Sequence, residues 1–354
     1  MRKPRLLSTL LGLIVVVLSV TPFSGCSETS NYISVGSEDE QQEIAHLQRI
    51  LQEVPEDSPR HSVLVQQIAR KLLGAGSPEK MRVFITEHVQ SHVDDPVNGY
   101  YLYLVAMSYG EEAEMPVRRM YLRRVLRNYP DVTISGDSTH LLTLQELARI
   151  VEDPEERVSY YEQLLTRYSD RLDTGELYYR LARSLEEAGE WYPAYDAYRR
   201  FLEFPATEIP GAPHLHREVR RKLAFHDADK QWTMNDLDAL VDEIKRALYL
   251  QNTNLLLRYK AETSFFTMSW EQEETDFNSQ IRSFNIGAFL RRSRVRFADE
   301  LHISSNAQEA YLRTWGWSHR IPVWYLYFRK VDYPVDPEVH GDWEWGGIYF
   351  GESL

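Results

Sequence analysis

The sequence predicts an α-helical solenoid of stacked hairpins followed by a smaller α+β domain with an antiparallel sheet. Three observations predict it. From Gln41 to about residue 226, apolar side chains recur with the period of amphipathic helices, in stretches punctuated by Pro, Gly or Asp. Within that region a short pattern returns at intervals of 39 and 37 residues, the scale of a helical-hairpin repeat. After residue 253, Phe, Tyr, Trp and β-branched residues gather in short runs, which is the signature of strands.

At the start of the chain, Arg2, Lys3 and Arg5 precede an apolar run from Leu6 to Val20, closed by Pro22 and small residues. This is the layout of an export signal, and the run is shorter than the ~20 apolar residues needed to span a bilayer as a helix. Phe23-Ser24-Gly25-Cys26 resembles the lipobox of bacterial lipoproteins, with Phe23 standing where Leu is usual. The resemblance implies that residues 1–25 are a signal peptide removed by signal peptidase II. It also implies that Cys26 carries diacylglycerol and usually a third, amide-linked chain such as palmitate. Two or more acyl chains anchor stably where one does not. The expectation is therefore a bacterial cell-envelope protein, lipid-anchored to the cell membrane or outer membrane, with its mature part outside the cytoplasm. Cys26 is the one cysteine in 354 residues, so no disulfide is expected within the chain.

The chain holds 40 Lys and Arg against 53 Asp and Glu, a net charge of −13. Loss of residues 1–25 removes three positive charges and leaves 37 against 53, or −16. That balance argues against a nucleic-acid partner, whose phosphates demand a basic face. Residues 26–40 are polar and acidic without apolar periodicity, as expected of a flexible tether.

Residues 41–230 read as the repeat region. Tyr121-Leu122-Arg123-Arg124-Val125-Leu126, Tyr160-Tyr161-Glu162-Gln163-Leu164-Leu165 and Ala197-Tyr198-Arg199-Arg200-Phe201-Leu202 echo one another, and Ile85 to Val89 ahead of Pro96 is a weaker fourth copy. In the last copy Tyr178-x-x-Leu181-Ala182-x-x-Leu185 is followed by Gly189, Ala194-x-x-x-Tyr198 and Pro205. This resembles the tetratricopeptide repeat (TPR) family. Gly189 falls where the first helix should stop, since glycine takes a left-handed cap cheaply. Ala182 and Ala194 are small enough for the two helices to approach closely, with Tyr198 filling the groove between them. The earlier copies depart from the pattern: Arg118 stands where a small residue belongs, and Ser169 replaces the closing proline. TPR families bind protein segments, so the resemblance implies an interaction scaffold or an assembly or transport accessory with envelope protein partners. The basic stretch from His214 to His226 is expected as a last, capping helix.

Residues 231–354 read as the α+β domain. Thr233-x-x-Asp236 opens a helix in capping-box style. Strands are expected at Leu255–Tyr259, Phe265–Trp270, Arg294–Phe297, Ala310–Trp317, Ile321–Val331 and Trp343–Phe350, with one or two helices between about 276 and 292. In Val323 to Phe328 both faces are apolar, so this strand is expected to be covered on both sides. In Asp342-Trp343-Glu344-Trp345 the alternation puts both carboxylates on one face and both indoles on the other.

Two readings of this end stay open. In one, Trp315, Trp317, Arg320, Asp342, Trp343, Glu344 and Trp345 line a cleft for a ring-shaped ligand such as a cell-wall glycan. Residues two apart on a strand are spaced about 7 Å, so the spacing of Asp342 and Glu344 does not exclude glycan cleavage, which needs two carboxylates about 5 to 9 Å apart across a bond. In the other, the tryptophans are core and the acids lie on a solvated edge. His88 and His92 lie four apart on a helix, but HVQSH lacks the glutamate of HExxH. Solvent-facing histidines account for them, and neither a metal nor another cofactor is expected. With no free thiol, no Gly-rich phosphate loop and no GxSxG, the chain is not expected to be an enzyme.

Overall fold

The computed structural model describes residues 35–270 and 285–352. The leader, Cys26 and most of the tether lie outside the described residues, as does the start of the helical segment expected from about 276. The chain divides into two compact units, residues 1–143 and 144–354, and no helix among the described residues is long and apolar enough to cross a membrane.

The first unit is helical. α1 (Glu38–Glu53) begins at a capping box in which the Ser37 hydroxyl accepts from the Glu40 amide and the Glu40 carboxylate accepts from the Ser37 amide. Residues 38–40, expected in the tether, therefore belong to a helix. α2 (Pro59–Gly74) and α3 (Pro78–Ser91) each start on a proline, whose missing N–H costs nothing there. α4 (Asn98–Met107) and α5 (Met115–Asn128) come next, and each helix packs on its successor in the chain. Their shared core is built on Ile44, Val65, Ile68, Leu72, Ile85 and Tyr101. Arg118 is buried in α5, and its guanidinium donates to the Tyr109 carbonyl at 3.1 Å beyond the end of α4. A two-residue hairpin, β1 (Thr133–Ile134) and β2 (Asp137–Ser138), turns through Ser135 and Gly136, both at positive φ. It leads into α6 (Thr139–Ile150), within which the two units divide.

The second unit opens with four helices that also pack in chain order: α7 (Pro154–Tyr168), α8 (Thr174–Glu187), α9 (Trp191–Phe201) and α10 (Leu215–Asp227). The α8/α9 hairpin carries the residues of the clearest sequence copy. Gly189 lies at φ +79°, with its amide bonded to the Glu186 carbonyl and that of Glu190 to Leu185, a Schellman closure. Ala182 and Ala194 are fully buried, and Tyr198, 1 % exposed, donates its hydroxyl to Glu186 at 2.7 Å. The hairpin is tied to the connection between α9 and α10, because the Asp173 carboxylate caps α8 at the Glu176 amide and also accepts from Thr207 at 2.7 Å.

Two short helices precede the sheet, α11 (Leu237–Tyr249) and α12 (Thr253–Arg258). Asp236, not Thr233, caps α11, accepting from the Ala239 amide at 2.8 Å. α12 occupies a segment expected as a strand, its amide at Leu255 held by the Asn252 side chain. The sheet comprises β3 (Phe266–Ser269), β4 (Arg296–Phe297), β5 (Glu309–Trp315), β6 (Val323–Lys330) and β7 (Trp343–Phe350), with α13 (Ile286–Leu290) between β3 and β4. Its order is β3-β7-β6-β5-β4. β4 to β7 are antiparallel neighbours, but β3 runs parallel to β7, so the sheet is mixed where an antiparallel one was expected. The long connection from β3 to β7 permits that, whereas a tight hairpin would not.

One face of the sheet packs Leu312, Trp324, Leu326, Phe328, Trp345 and Ile348 against α11, α12 and α13. The other face carries Tyr311, Val323 and Tyr325 packed with Trp270, Trp315, Tyr327 and Tyr349. β6 is covered on both sides, as its two apolar faces predict. Opposite β6, Phe328 pairs with Trp345 and Tyr327 with Gly347, so Gly346 is the extra residue of a bulge. The bulge lets Trp345 and Ile348 both face the core. Val331 and Tyr333, just beyond β6, sit in the same apolar cluster as Tyr198, Phe201, Leu215 and Val219. The compact units therefore do not divide near residue 231, where composition changes: the β6–β7 connection folds onto α9 and α10.

Candidate functional site

The β6–β7 connection is pinned at both ends. The Val331 amide donates to the Asp342 carbonyl at 2.8 Å and the Gly341 amide to the Val331 carbonyl at 2.9 Å, with Gly341 at φ +86°. At its centre the Tyr333 hydroxyl meets His226 Nδ1 at 2.6 Å, and Tyr195 stacks on the His226 ring at 3.9 Å. Burial pushes the His226 imidazole below its ordinary range and the Tyr333 phenol above its own, so the hydroxyl donates to a neutral ring. The Lys230 ammonium donates to the Ala228 and His226 carbonyls at 2.7 and 3.1 Å and sits 4.7 Å from the Tyr333 ring. Desolvation pulls it below the usual lysine range.

Two adjoining open pockets lie along this junction, about 500 and 510 Å³ in volume, and share Lys222, Phe225 and Asp332. The first adds Glu218 and Arg221 from α10 and Arg329, Lys330 and Glu344 from the sheet. The second adds Glu186 and Glu187 from α8, Trp191 and Tyr195 from α9, and Tyr333. Together they make a groove with aromatic walls and charges of both signs. Such a surface suits a peptide segment with an apolar side chain flanked by charged ones.

Glu344 forms the floor of the first pocket. It is 2 % exposed and accepts from Trp232 Nε1 at 2.8 Å and from Arg329 Nε at 2.8 Å, while Arg329 also donates to Ser264 at 2.5 Å. Glu344 and Arg329 are register partners on β7 and β6. A Cβ on Gly346 would stand 3.0 Å from Arg329 Nε, so the bare glycine leaves room for the guanidinium.

The sequence-derived ligand residues divide differently from either reading. Trp317, Trp343 and Trp345 are buried in the core cluster. Trp317 stacks on Trp324 at 4.6 Å and bonds Thr314 through its indole N–H. These three indoles therefore present no open face for a sugar, a correction whose cause is the helical layer over that side of the sheet. Trp315 is half-buried among the tyrosines of the opposite face, and Arg320 is exposed in the β5–β6 connection. The acids do share a face, on which Glu344 is buried and Asp342 half-buried. Asp342 accepts from the Thr233 hydroxyl at 2.9 Å and Glu344 holds Trp232 and Arg329. Both carboxylates are engaged in holding the junction together.

The histidines of HVQSH need a second correction. His88 is 6 % exposed, on the inner side of α3 with Met81, Phe84 and Ile85. It meets His61 of α2, also buried, and Asp95 of the turn after α3. Burial, with a smaller contribution from the His88 and His92 imidazoles, keeps His61 below the ordinary histidine range. Sequence reasoning missed Phe225, Tyr333, His226 and His61, whose roles depend on partners distant in sequence.

No protein-family model matches the chain, and no curated protein matches it.

Proposed function

We propose that this protein is a lipid-anchored lipoprotein of the bacterial cell envelope that acts as an interaction scaffold, an assembly or transport accessory, by holding a segment of an envelope protein. The observation that carries the reading is the groove between α8–α10 and the β6–β7 connection, whose aromatic walls and mixed charges fit a peptide. Supporting it, the α8/α9 hairpin closes on the residues that resemble the TPR pattern: Tyr178, Leu181, Ala182, Leu185, Gly189, Ala194, Tyr198 and Pro205. The anchor is read from the lipobox resemblance around Cys26, and Ser27 after it favours the outer membrane under the rule some Gram-negative bacteria use.

The test has two arms in cells. Labelled palmitate incorporated by the wild-type chain is lost in Cys26→Ala. Crosslinking pull-down of the lipidated protein returns an envelope protein that is depleted when Phe225→Ala and Lys222→Glu alter the groove. An unlabelled wild-type chain defeats the anchor, and a partner captured equally by the groove variants defeats the groove.

A further inference from the structure

The end of the first unit where α2 begins and α3 stops gathers His61, His88 and His92 among the acids Glu56, Asp57, Asp94 and Asp95. The ligand atoms of His61, His88 and Asp95 all lie within 4.8 Å of one another. His61 and His88 are 4 % and 6 % exposed, with ring centroids 5.3 Å apart. The His92 ring stacks on His88 at 4.2 Å and lies 5.5 Å from His61. A cavity of about 370 Å³ opens onto the group, lined by Glu56, His61, His92, Asp94 and Asp95.

We propose that His61, His88 and Asp95, completed by His92, bind a divalent transition-metal ion of the zinc class. Four features carry this. The Asp95 carboxylate spends one oxygen on the Val97 amide at 2.8 Å and turns the other to His88 Nε2 at 3.4 Å. Two ligands at 2.0–2.1 Å from a tetrahedral ion stand about 3.4 Å apart, so that pair already has the separation a shared ion requires. The widest pair would need to close by roughly 1.4 Å for the same tetrahedral spacing, within the reach of side-chain rotation.

His92 Nδ1 is 2.9 Å from the His88 carbonyl, which can only accept. The proton on Nδ1 is thereby fixed, and Nε2 is the nitrogen left to meet an ion once the Glu56 carboxylate yields its place there, the arrangement that orients metal-binding imidazoles. Glu56 stands 3.4 Å from that Nε2, at the cavity mouth. Finally, His61 Nδ1 is buried with no hydrogen-bond partner. A buried polar atom without a partner costs free energy, which ligation through that nitrogen would recover. The donor set of imidazoles with one carboxylate suits zinc, copper, nickel or cobalt and not magnesium or calcium, which take oxygen ligands.

The test uses the full chain in detergent, stripped with a chelator and then titrated with Zn²⁺ by calorimetry. One ion per chain is expected, with a rise in the midpoint of thermal unfolding. X-ray absorption of the loaded protein should give a nitrogen and oxygen shell near 2.0–2.1 Å with imidazole scattering. His61→Gln and Asp95→Asn should each weaken binding at least tenfold, and His92→Gln, at a partly exposed position, should do so with the helical circular dichroism unchanged. No stoichiometric binding by the wild-type chain overturns the proposal, as does binding that survives both His61→Gln and Asp95→Asn undiminished.

Discussion

Replacing Glu344 by alanine tests the structural logic of the groove most sharply. The wild-type carboxylate is 2 % exposed and satisfies two donors at 2.8 Å, the Trp232 indole and the Arg329 guanidinium. Alanine leaves the Trp232 N–H buried without an acceptor, at a cost of about 1–3 kcal/mol. Arg329 also loses its carboxylate while keeping Ser264, and a fully buried pair broken on one side costs about 3–5 kcal/mol. The Arg329 side chain is 24 % exposed and can turn partly to water, so the two effects together are expected at about 3–4 kcal/mol. Glu344→Gln keeps one acceptor for Trp232 and should cost about 2 kcal/mol. Arg329→Met should suppress much of the Glu344→Gln loss, since the double change removes the uncompensated charge. Urea unfolding followed by tryptophan fluorescence is the assay, because all eight tryptophans belong to the second unit. A midpoint shift at unchanged slope reads the loss directly. A Glu344→Ala cost below about 1 kcal/mol, or strictly additive effects of Glu344→Gln and Arg329→Met, would refute the reasoning.

Two further outcomes rest on local geometry. Gly175→Ala places a Cβ 2.1 Å from the Thr207 hydroxyl and 2.7 Å from Phe204 Cβ. It should push Thr207 off the Asp173 cap and cost about 1–3 kcal/mol in the same fluorescence assay, whereas an unchanged midpoint would show that this contact is not closed in solution. Because the folded state depresses the His226 pKa below its ordinary value of 6.5, His226 contributes stability that is complete above that value and is lost as the pH falls through the folded pKa. Titration of the His226 ring by nuclear magnetic resonance should give a midpoint below 6.5, and a midpoint at or above it contradicts a neutral imidazole accepting from Tyr333.

Much of the second unit was legible because its signals are local. Gly189, Ala182, Ala194 and Tyr198 announce the α8/α9 hairpin through their resemblance to a repeat pattern, and the alternation from Asp342 into β7 sorts indoles from carboxylates correctly. The failures have physical causes. Leu255-Leu256-Leu257 has no period, so the run reads as a strand unless Asn252 is weighted as a cap. That β3 joins β7 in parallel is a property of the long connection between them, which no local pattern encodes. Glu344 was placed on the right face, but the cover over that face comes from Trp232, 112 positions away. His88 was the avoidable error: it lies beyond Met81, Phe84 and Ile85 at helical spacing, so the same periodicity that found the helix puts it on the buried side. His61 lies on a different helix, and only the packing of α2 on α3 brings the two rings together.

The central claim, that the groove holds a protein segment, is tested most directly by a photocrosslinking amino acid at Lys222, an exposed residue of α10 that the two pockets share. A second probe at Tyr249, 80 % exposed on α11 and outside both linings, serves as control. One discrete envelope-protein adduct is expected from position 222, mapped to a single peptide of that partner and absent from position 249. Equal adducts from both positions, or none from 222 while the full chain still captures the partner elsewhere, would contradict it.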